Sequence, residues 1–428
     1  MALACHRDAM TSSFLNMRLS LVCFMAIAVA LPIGIISLAK LLLLLCALTV
    51  LANGWFRRSH TPVSLPGTTA SMILLALAAM AASSLWSTGS SDEAMSAVVK
   101  HGKLIMIPAF LCLVRTRREA LIALACFIVT QVLLLASTWL LALGLALPWA
   151  KNPAASGSFA IFSTYLDQSI MTGVLAAMCW HLKACVPARH RTLLTIITTI
   201  ICALALACVF FIFQGRTGHV VAIALVTLAL LWEMPNRYRV GVVAIPLALV
   251  ALLAMNSGKV NHGLMEIGSG IEAFKTSGDI SSSSGIRLNL WHRSLQSISE
   301  NPVWGTGAGS WGRELNRQEA LHAPATFVRI AANPHQEYLL WGIELGVPGI
   351  ALLCGVLVAL YRDSRRLDTP ERRALQSIVA ALALASLFNC ALYDALIGDF
   401  FCVALALVLA LGVHAAPLAR GAPLASSV

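Results

Sequence analysis

Twelve long apolar stretches constrain this chain more than any other feature of its sequence. A helix needs about 20 mostly apolar residues to cross the hydrocarbon core of a bilayer. The stretches lie at residues 16–32, 34–53, 66–86, 96–114, 119–146, 160–182, 192–213, 217–233, 239–255, 335–361, 374–393 and 399–415. Backbone polar groups inside lipid must be satisfied within the segment itself, so such runs predict helices. We therefore expect an all-α, polytopic membrane protein with about 12 transmembrane helices.

The composition and the charge pattern agree with this class. Of the 428 residues, 59% are hydrophobic and 11% are charged, against about 25% charged residues in soluble domains. The net charge of +11 does not indicate nucleic-acid binding, because most basic residues lie in short connections between apolar stretches. The basic connections are 57–58, 115–118, 183–191, 237–239 and 362–373. By the positive-inside rule they are cytoplasmic, and both termini follow.

The first stretch has an alternative interpretation. Ala28-Val29-Ala30 has the small-residue pattern of a signal-peptide cleavage site. The apolar run continues past it, which favours an uncleaved first helix.

One long polar segment divides the chain. Residues 1–255 contain predicted helices 1–9, residues 256–334 form a large periplasmic loop, and residues 335–428 contain helices 10–12 and a short cytoplasmic tail. Within the loop, Arg287–Ile298 has the helical period of an amphipathic helix. Its apolar stripe contains Ile286, Leu288, Leu290, Trp291, Ser294, Leu295 and Ile298. Asn301-Pro302 should end this helix, and Gly305, Gly307 and Gly309 should form a tight turn.

His335 is the first candidate for chemistry, because it lies where the polar loop meets an apolar helix. Pro334 fixes the backbone before it, at a position that suits the start of a helix. An imidazole titrates near neutral pH, so it can take a proton from a hydroxyl as a general base. The competing interpretation is a polar residue at a helix end.

Arg216 and Arg287 are candidates for binding an anion. Arg216 lies between two apolar runs and is flanked by glycines. Placing a charged arginine at membrane depth costs free energy, so a functional role is the default interpretation. The competing interpretation is an arginine that reaches the interface from a helix end. Arg287 lies on the amphipathic loop helix, where a solvated charge is equally plausible. Arg313 is a weaker candidate of the same kind.

Several catalytic signatures are absent from the sequence. It has no DxD, HExxH, Walker A or GxSxG motif. The twelve cysteines form no C-x-x-C pair, which argues against a disulfide framework and a zinc site. We expect neither a metal nor a cofactor. A site that handles diphosphate would then rely on arginines, whose planar fork binds phosphate oxygens in pairs. A transporter is a rival class, but no inverted repeat is evident.

At these residues the chain resembles the bacterial O-antigen ligases. His335-Gln336, nine further residues, and then Gly346-Val347-Pro348-Gly349 resemble the histidine signature of that family. Arg287-Leu288-Asn289-Leu290 is similar to its RxxL motif in the large periplasmic loop. Arg216 occupies the position of an arginine that the family carries at an outward-facing helix end. O-antigen polymerases and protein O-oligosaccharyltransferases share much of this pattern, so both stay open as alternatives.

The resemblance implies a GT-C-like enzyme in the bacterial inner membrane with its active site facing the periplasm. The donor would be O-polysaccharide on undecaprenyl diphosphate, and the acceptor a sugar hydroxyl of lipid A-core. His335 would act as the base, while Arg216 and Arg287 would hold the diphosphate. Direct attack by the hydroxyl would invert the anomeric carbon. The residues expected to bind substrate are Arg216, Arg287, Gln336, Trp291, Arg313, Asp167 and Asp394. Asp167, Asp394 and Asp399 are candidates for orienting His335 or binding sugar.

Overall fold

The computed structural model describes residues 16–57, 67–150, 159–185, 189, 191–239, 241–242, 244, 248, 258–322 and 333–414. Within these ranges the regular structure is helical, without strands. The helices are α1 (Asn16–Ala28), α2 (Ile33–Arg57), α3 (Gly67–Ser83), α4 (Ser91–His101), α5 (Met106–Leu113), α6 (Arg117–Ala142), α7 (Tyr165–Leu182), α8 (Arg191–Ala207), α9 (Arg216–Glu233), α10 (Gly258–Ser277), α11 (Ser283–Glu300), α12 (Trp311–His322), α13 (Glu337–Ser364), α14 (Thr369–Ala385) and α15 (Ala395–Val413).

Eight helices in the described ranges are long and apolar enough to cross a membrane. They are Ile33–Asn53, Gly67–Trp86, Ser91–Leu113, Arg117–Ala142, Arg191–Ile212, Arg216–Glu233, Glu337–Ser364 and Ala395–Val413. The regular structure of the described residues is thus helical, and its long apolar helices agree with the multi-pass membrane class that the apolar stretches predict. The number of twelve stays a prediction. The predicted span 239–255 lies almost wholly outside the described residues, and the predicted spans 16–32, 160–182 and 374–393 are not among the eight.

The predicted span 96–114 differs from the observed helices in its start and its continuity. α4 begins at Ser91 because Ser90 and Glu93 form a capping box. The Ser90 hydroxyl accepts the Glu93 N–H, and the Glu93 carboxylate accepts the Ser90 N–H. Two otherwise unpaired backbone donors are satisfied in this way. Hydropathy alone overlooks such a start, because the capping residues are polar.

The last helix, α15, lies at the centre of the molecule. Its residues from Leu396 to Gly412 are buried. α15 packs against α5, α6 and α14, and the rings of Phe400 and Phe127 lie 5.3 Å apart between centroids. Helices in lipid associate through close packing rather than through exclusion of water. The central helix therefore fixes the positions of the helices around it.

One ion pair and two contacts to backbone carbonyl oxygens join the basic connections at one end of the bundle. Arg117 pairs with Glu371 at 2.7 Å, which joins the start of α6 to the start of α14. Arg373 donates to the Trp232 carbonyl oxygen at 2.9 Å, which brings in the end of α9. His414 contacts the Val114 carbonyl oxygen at 3.0 Å. These basic connections thus collect at one end of the bundle, away from the polar loop.

α11 is the helix that the sequence predicts in the polar loop. It begins at Ser283 behind a Ser282 cap and ends at Glu300, with Asn301 following as expected. Leu290 and Ile298 are buried, and the helix packs on α13. Leu295, on the same helix, is 57% exposed. The face of α11 that packs on the protein therefore does not include Leu295.

The three loop glycines form a turn that fills a break in α13. At Gly346 the backbone has φ 72° and ψ −162°, which interrupts the helix. The Thr306 and Gly307 N–H groups donate to the carbonyl oxygens of Ile343 and Glu344, at 2.7 and 3.0 Å. The turn therefore satisfies carbonyl groups near the break in α13.

Only glycine fits at the middle of this turn. Gly307 has φ +89°, and a Cβ added there would lie 2.3 Å from the Ser87 Cα. The positive φ and the close backbone both exclude a side chain. The turn is thus clamped between α13 and the connection that follows α3.

Candidate functional site

His335 is held in an unusual backbone conformation at the start of α13. Its φ of 53° is the only positive value for a residue other than glycine in the described part of the chain. The Asn333 side-chain oxygen accepts the His335 N–H at 2.9 Å and thereby stabilises this conformation. Residues with such backbone strain cluster at functional sites. The local sequence Asn333-Pro334-His335 therefore fixes the backbone conformation, and with it the orientation, of His335.

The imidazole of His335 is half-buried and available. It makes no hydrogen bond within the described residues. Burial lowers the pKa of His335 below its usual value, and the positive charge of Arg287 lowers this pKa further. The ring is therefore mostly neutral at pH 7, which is the form that accepts a proton.

Arg287 lies in the first turns of α11 and is half-buried. Its guanidinium makes no hydrogen bond or ion pair with any described residue. Burial lowers the pKa of Arg287, and the positive charge of Arg216 lowers this pKa further, while Tyr165 opposes these effects. A buried charge normally has a partner. An unpaired guanidinium in this position is therefore suited to receive an anion.

Arg216 is the first residue of α9 and is about half exposed. Its Nη2 lies 2.5 Å from Oε2 of Glu266 on α10. The glycines around Arg216 are explained by packing against α7, since a Cβ on Gly218 would lie 2.1 Å from the Ser169 Oγ. These glycines therefore let α7 pack closely against the start of α9.

The fold thus brings Arg287 within electrostatic range of two predicted residues that are distant in sequence. The charge of Arg216 acts on Arg287, and the charge of Arg287 acts on His335. Arg287 therefore connects a second guanidinium group to the imidazole. The arrangement can bind an anion and accept a proton next to it.

Asp394 supports His335 through Asn333. The Asn333 side-chain nitrogen donates to Oδ1 of Asp394 at 3.0 Å. Burial raises the pKa of Asp394 to about 7, and the neighbouring Asp167 contributes, while Lys103 opposes the shift. The bond from Asn333 links the His335 turn to the start of the central helix. Asp167 lies close enough to influence Asp394.

The remaining predicted residues differ in their surroundings. Gln336 caps α13, and its side-chain oxygen accepts the Leu339 N–H at 2.9 Å. Trp291 lies one turn after Arg287, and its buried indole N–H has no partner within the described residues. Arg313 is exposed on α12, within electrostatic range of Glu93. Asp399 is bonded to Lys40 at 2.7 and 2.9 Å, so its carboxylate is already occupied.

His101 and Glu344 form a buried pair that the sequence motifs do not single out. His101 Nε2 lies 2.8 Å from Oε2 of Glu344, and both side chains are fully buried. The other Glu344 oxygen accepts the Gly309 N–H at 2.8 Å. The Glu337 carboxylate accepts the Leu392 N–H at 2.9 Å. Glu337 and Glu344 are seven residues apart, which puts them on one helix face and is the signal that could have revealed them.

Residues 200–354 match the family model described as O-Antigen ligase. We refer to these matched residues as the O-antigen ligase segment. The predicted resemblance is therefore confirmed at the level of the superfamily. A search of curated proteins finds no match to this chain.

The O-antigen ligase segment contains the three residues that the fold brings together, Arg216, Arg287 and His335. It runs from within α8 to the middle of α13. Asp394 and Asp167 lie outside it. In the described ranges no group of three or more His, Cys, Asp or Glu side chains is arranged to hold a metal ion.

Proposed function

We propose that this protein is an O-antigen ligase of the bacterial inner membrane. It transfers O-polysaccharide from undecaprenyl diphosphate to a sugar hydroxyl of lipid A-core, and the product is lipopolysaccharide. The observation that carries this proposal is the half-buried, unpaired Arg287 next to Arg216 and the available imidazole of His335. The superfamily segment at residues 200–354 supports the same class of reaction.

In the proposed reaction, Arg287 and Arg216 bind the donor diphosphate. His335 takes the proton from the acceptor hydroxyl, whose oxygen attacks the anomeric carbon. The bond from that carbon to the diphosphate oxygen breaks, and undecaprenyl diphosphate leaves. The carbon is inverted. The arginines stabilise the charge that develops on the leaving group, which is often the largest catalytic contribution.

The proposal includes a membrane orientation. The end of the bundle with the basic connections faces the cytoplasm, together with both termini. The polar loop and His335 face the periplasm, where the two lipid-linked substrates meet. We also propose twelve spans and a GT-C-like architecture.

Deletion of the gene followed by gel analysis of lipopolysaccharide tests the reaction. We expect loss of the O-antigen ladder and accumulation of undecaprenyl-linked polymer. A single O-unit on the core would identify a polymerase instead. Failure of the polymer to reach the periplasm would identify a transporter. An unchanged ladder together with loss of protein glycosylation would identify a protein O-oligosaccharyltransferase.

The use of arginines as phosphate ligands gives a second prediction. Purified protein with both lipid substrates should keep its turnover in excess EDTA, because two guanidinium groups neutralise the diphosphate. Turnover with and without EDTA is the measurement. Loss of activity in EDTA with recovery on addition of magnesium or manganese would contradict the two-arginine site.

A further inference from the structure

The partner of Arg216 is a carboxylate from the polar loop. Glu266 lies on α10, and its Oε2 is 2.5 Å from the Arg216 Nη2. The two side chains are 46% and 48% exposed. One of the two guanidinium groups proposed to bind diphosphate therefore already holds an anion.

A carboxylate and a phosphate offer a guanidinium the same chemistry. Both are anions whose oxygens accept its N–H groups in charge-assisted hydrogen bonds. They compete for the same donors, and they repel each other when both are close. Arg216 therefore has two alternative partners, Glu266 and the diphosphate.

We propose that Glu266 competes with diphosphate for Arg216 and so promotes release of undecaprenyl diphosphate after transfer. This inference rests on the proposed function. Transfer breaks the bond between the anomeric carbon and the diphosphate, so the product carries one more negative charge than the donor. Two arginines alone would hold this product more tightly than the donor. Glu266 offers Arg216 a second partner when the product must leave.

The expected strengths permit this exchange. An exposed ion pair contributes only a factor of about 1.4–5 to an equilibrium. A hydrogen bond to a charged phosphate contributes about 10- to 150-fold. The diphosphate can therefore displace Glu266, and Glu266 can weaken diphosphate binding without preventing it.

Binding of undecaprenyl diphosphate to the full-length protein in detergent tests the idea directly. Glu266→Gln should bind this lipid about two- to five-fold more tightly than the wild type. Glu272→Gln is the matched control. Glu272 is exposed on the same helix and forms no ion pair with a described residue, so its substitution should change nothing.

The effect should depend on Arg216. In an Arg216→Ala background, Glu266→Gln should leave binding unchanged, because the contested guanidinium is gone. High salt should shrink the difference between the wild type and Glu266→Gln, since exposed charges are screened. Size-exclusion chromatography checks that each variant is folded.

The outcomes separate this inference from the function on which it rests. Equal or weaker binding by Glu266→Gln, with Arg287→Ala still impaired, would overturn the competition and leave the diphosphate site in place. Weaker binding would mean that Glu266 orients Arg216 instead. If Arg287→Ala binds as tightly as the wild type, the diphosphate site is wrong, and the role of Glu266 is lost with it.

Discussion

Replacing Arg287 with alanine should weaken donor binding more than replacing Arg216. A hydrogen bond to a charged group contributes about 1.5–3 kcal/mol, which is roughly 10- to 150-fold in binding. Arg287 should contribute this full amount, because no described residue competes for its guanidinium. Its burial has also removed much of the water that a phosphate would otherwise displace.

Arg216 should contribute less, for two structural reasons. Phosphate must first replace Glu266, and an exposed ion pair of this kind is worth about 0.2–1 kcal/mol. The side chain is also 48% exposed, so solvent and salt weaken its contact with phosphate. The loss in Arg216→Ala should therefore be smaller by about that amount.

The assay is binding of the lipid-linked donor alongside kcat/KM with lipid A-core. Arg287→Lys should recover part of the loss, because an ammonium supplies charge but lacks the planar fork. Thermal stability should be unchanged or higher in Arg287→Ala, since the substitution removes a half-buried charge without a partner. A lower Tm would mean that Arg287 mainly stabilises the fold. A larger loss in Arg216→Ala than in Arg287→Ala would refute the reasoning from burial and pairing.

Four further predictions concern the base, its pH dependence and the glycine turn. His335→Ala should lower turnover by ~10²–10⁴-fold while donor binding is nearly retained. Kinetics and donor binding are measured on the same preparation. Abolished donor binding would mean that His335 is a phosphate ligand. A base works unprotonated, so kcat/KM should fall as acid protonates His335, and the lowered pKa of His335 should place this fall at lower pH than for an ordinary histidine. Arg287→Ala removes a charge that lowers this pKa, so its pH profile should shift to higher pH, and an unshifted profile would contradict their coupling. Gly307→Ala should destabilise the fold by about 2–5 kcal/mol through overpacking and a positive φ. Gly102→Ala is the control and should change the stability little, because the space around the Gly102 Cα is open. A thermal unfolding assay measures both.

The sequence by itself determined the helical class and singled out the residues of the candidate site. It did not foresee the left-handed backbone of His335, and α13 begins at Glu337, later than Pro334 suggested. Apolar runs of membrane-spanning length become helices because lipid leaves the backbone no other partner. The loop helix, its end at Asn301 and the glycine turn follow from periodicity and turn chemistry. The family resemblance singled out His335, Arg287 and Arg216 from patterns within short segments.

Neighbouring elements decided which local residues are buried or paired. Leu295 lies at helical spacing with the buried residues of α11 but is 57% exposed. Asp399, a candidate for orienting His335 or binding sugar, is paired with Lys40. Neither outcome is encoded within the segment that carries the residue.

Only the tertiary structure decided which distant groups meet. Arg216 and Arg287 come together because α9 packs against α7 while α11 packs against α13. Neither sequence segment specifies the position of the other. The pairs Arg216–Glu266 and His101–Glu344 likewise join helices far apart in the chain. A helix that is apolar on all sides shows little preference for the face it buries. Partner choice in such a bundle depends on side-chain packing between helices, which periodicity does not record.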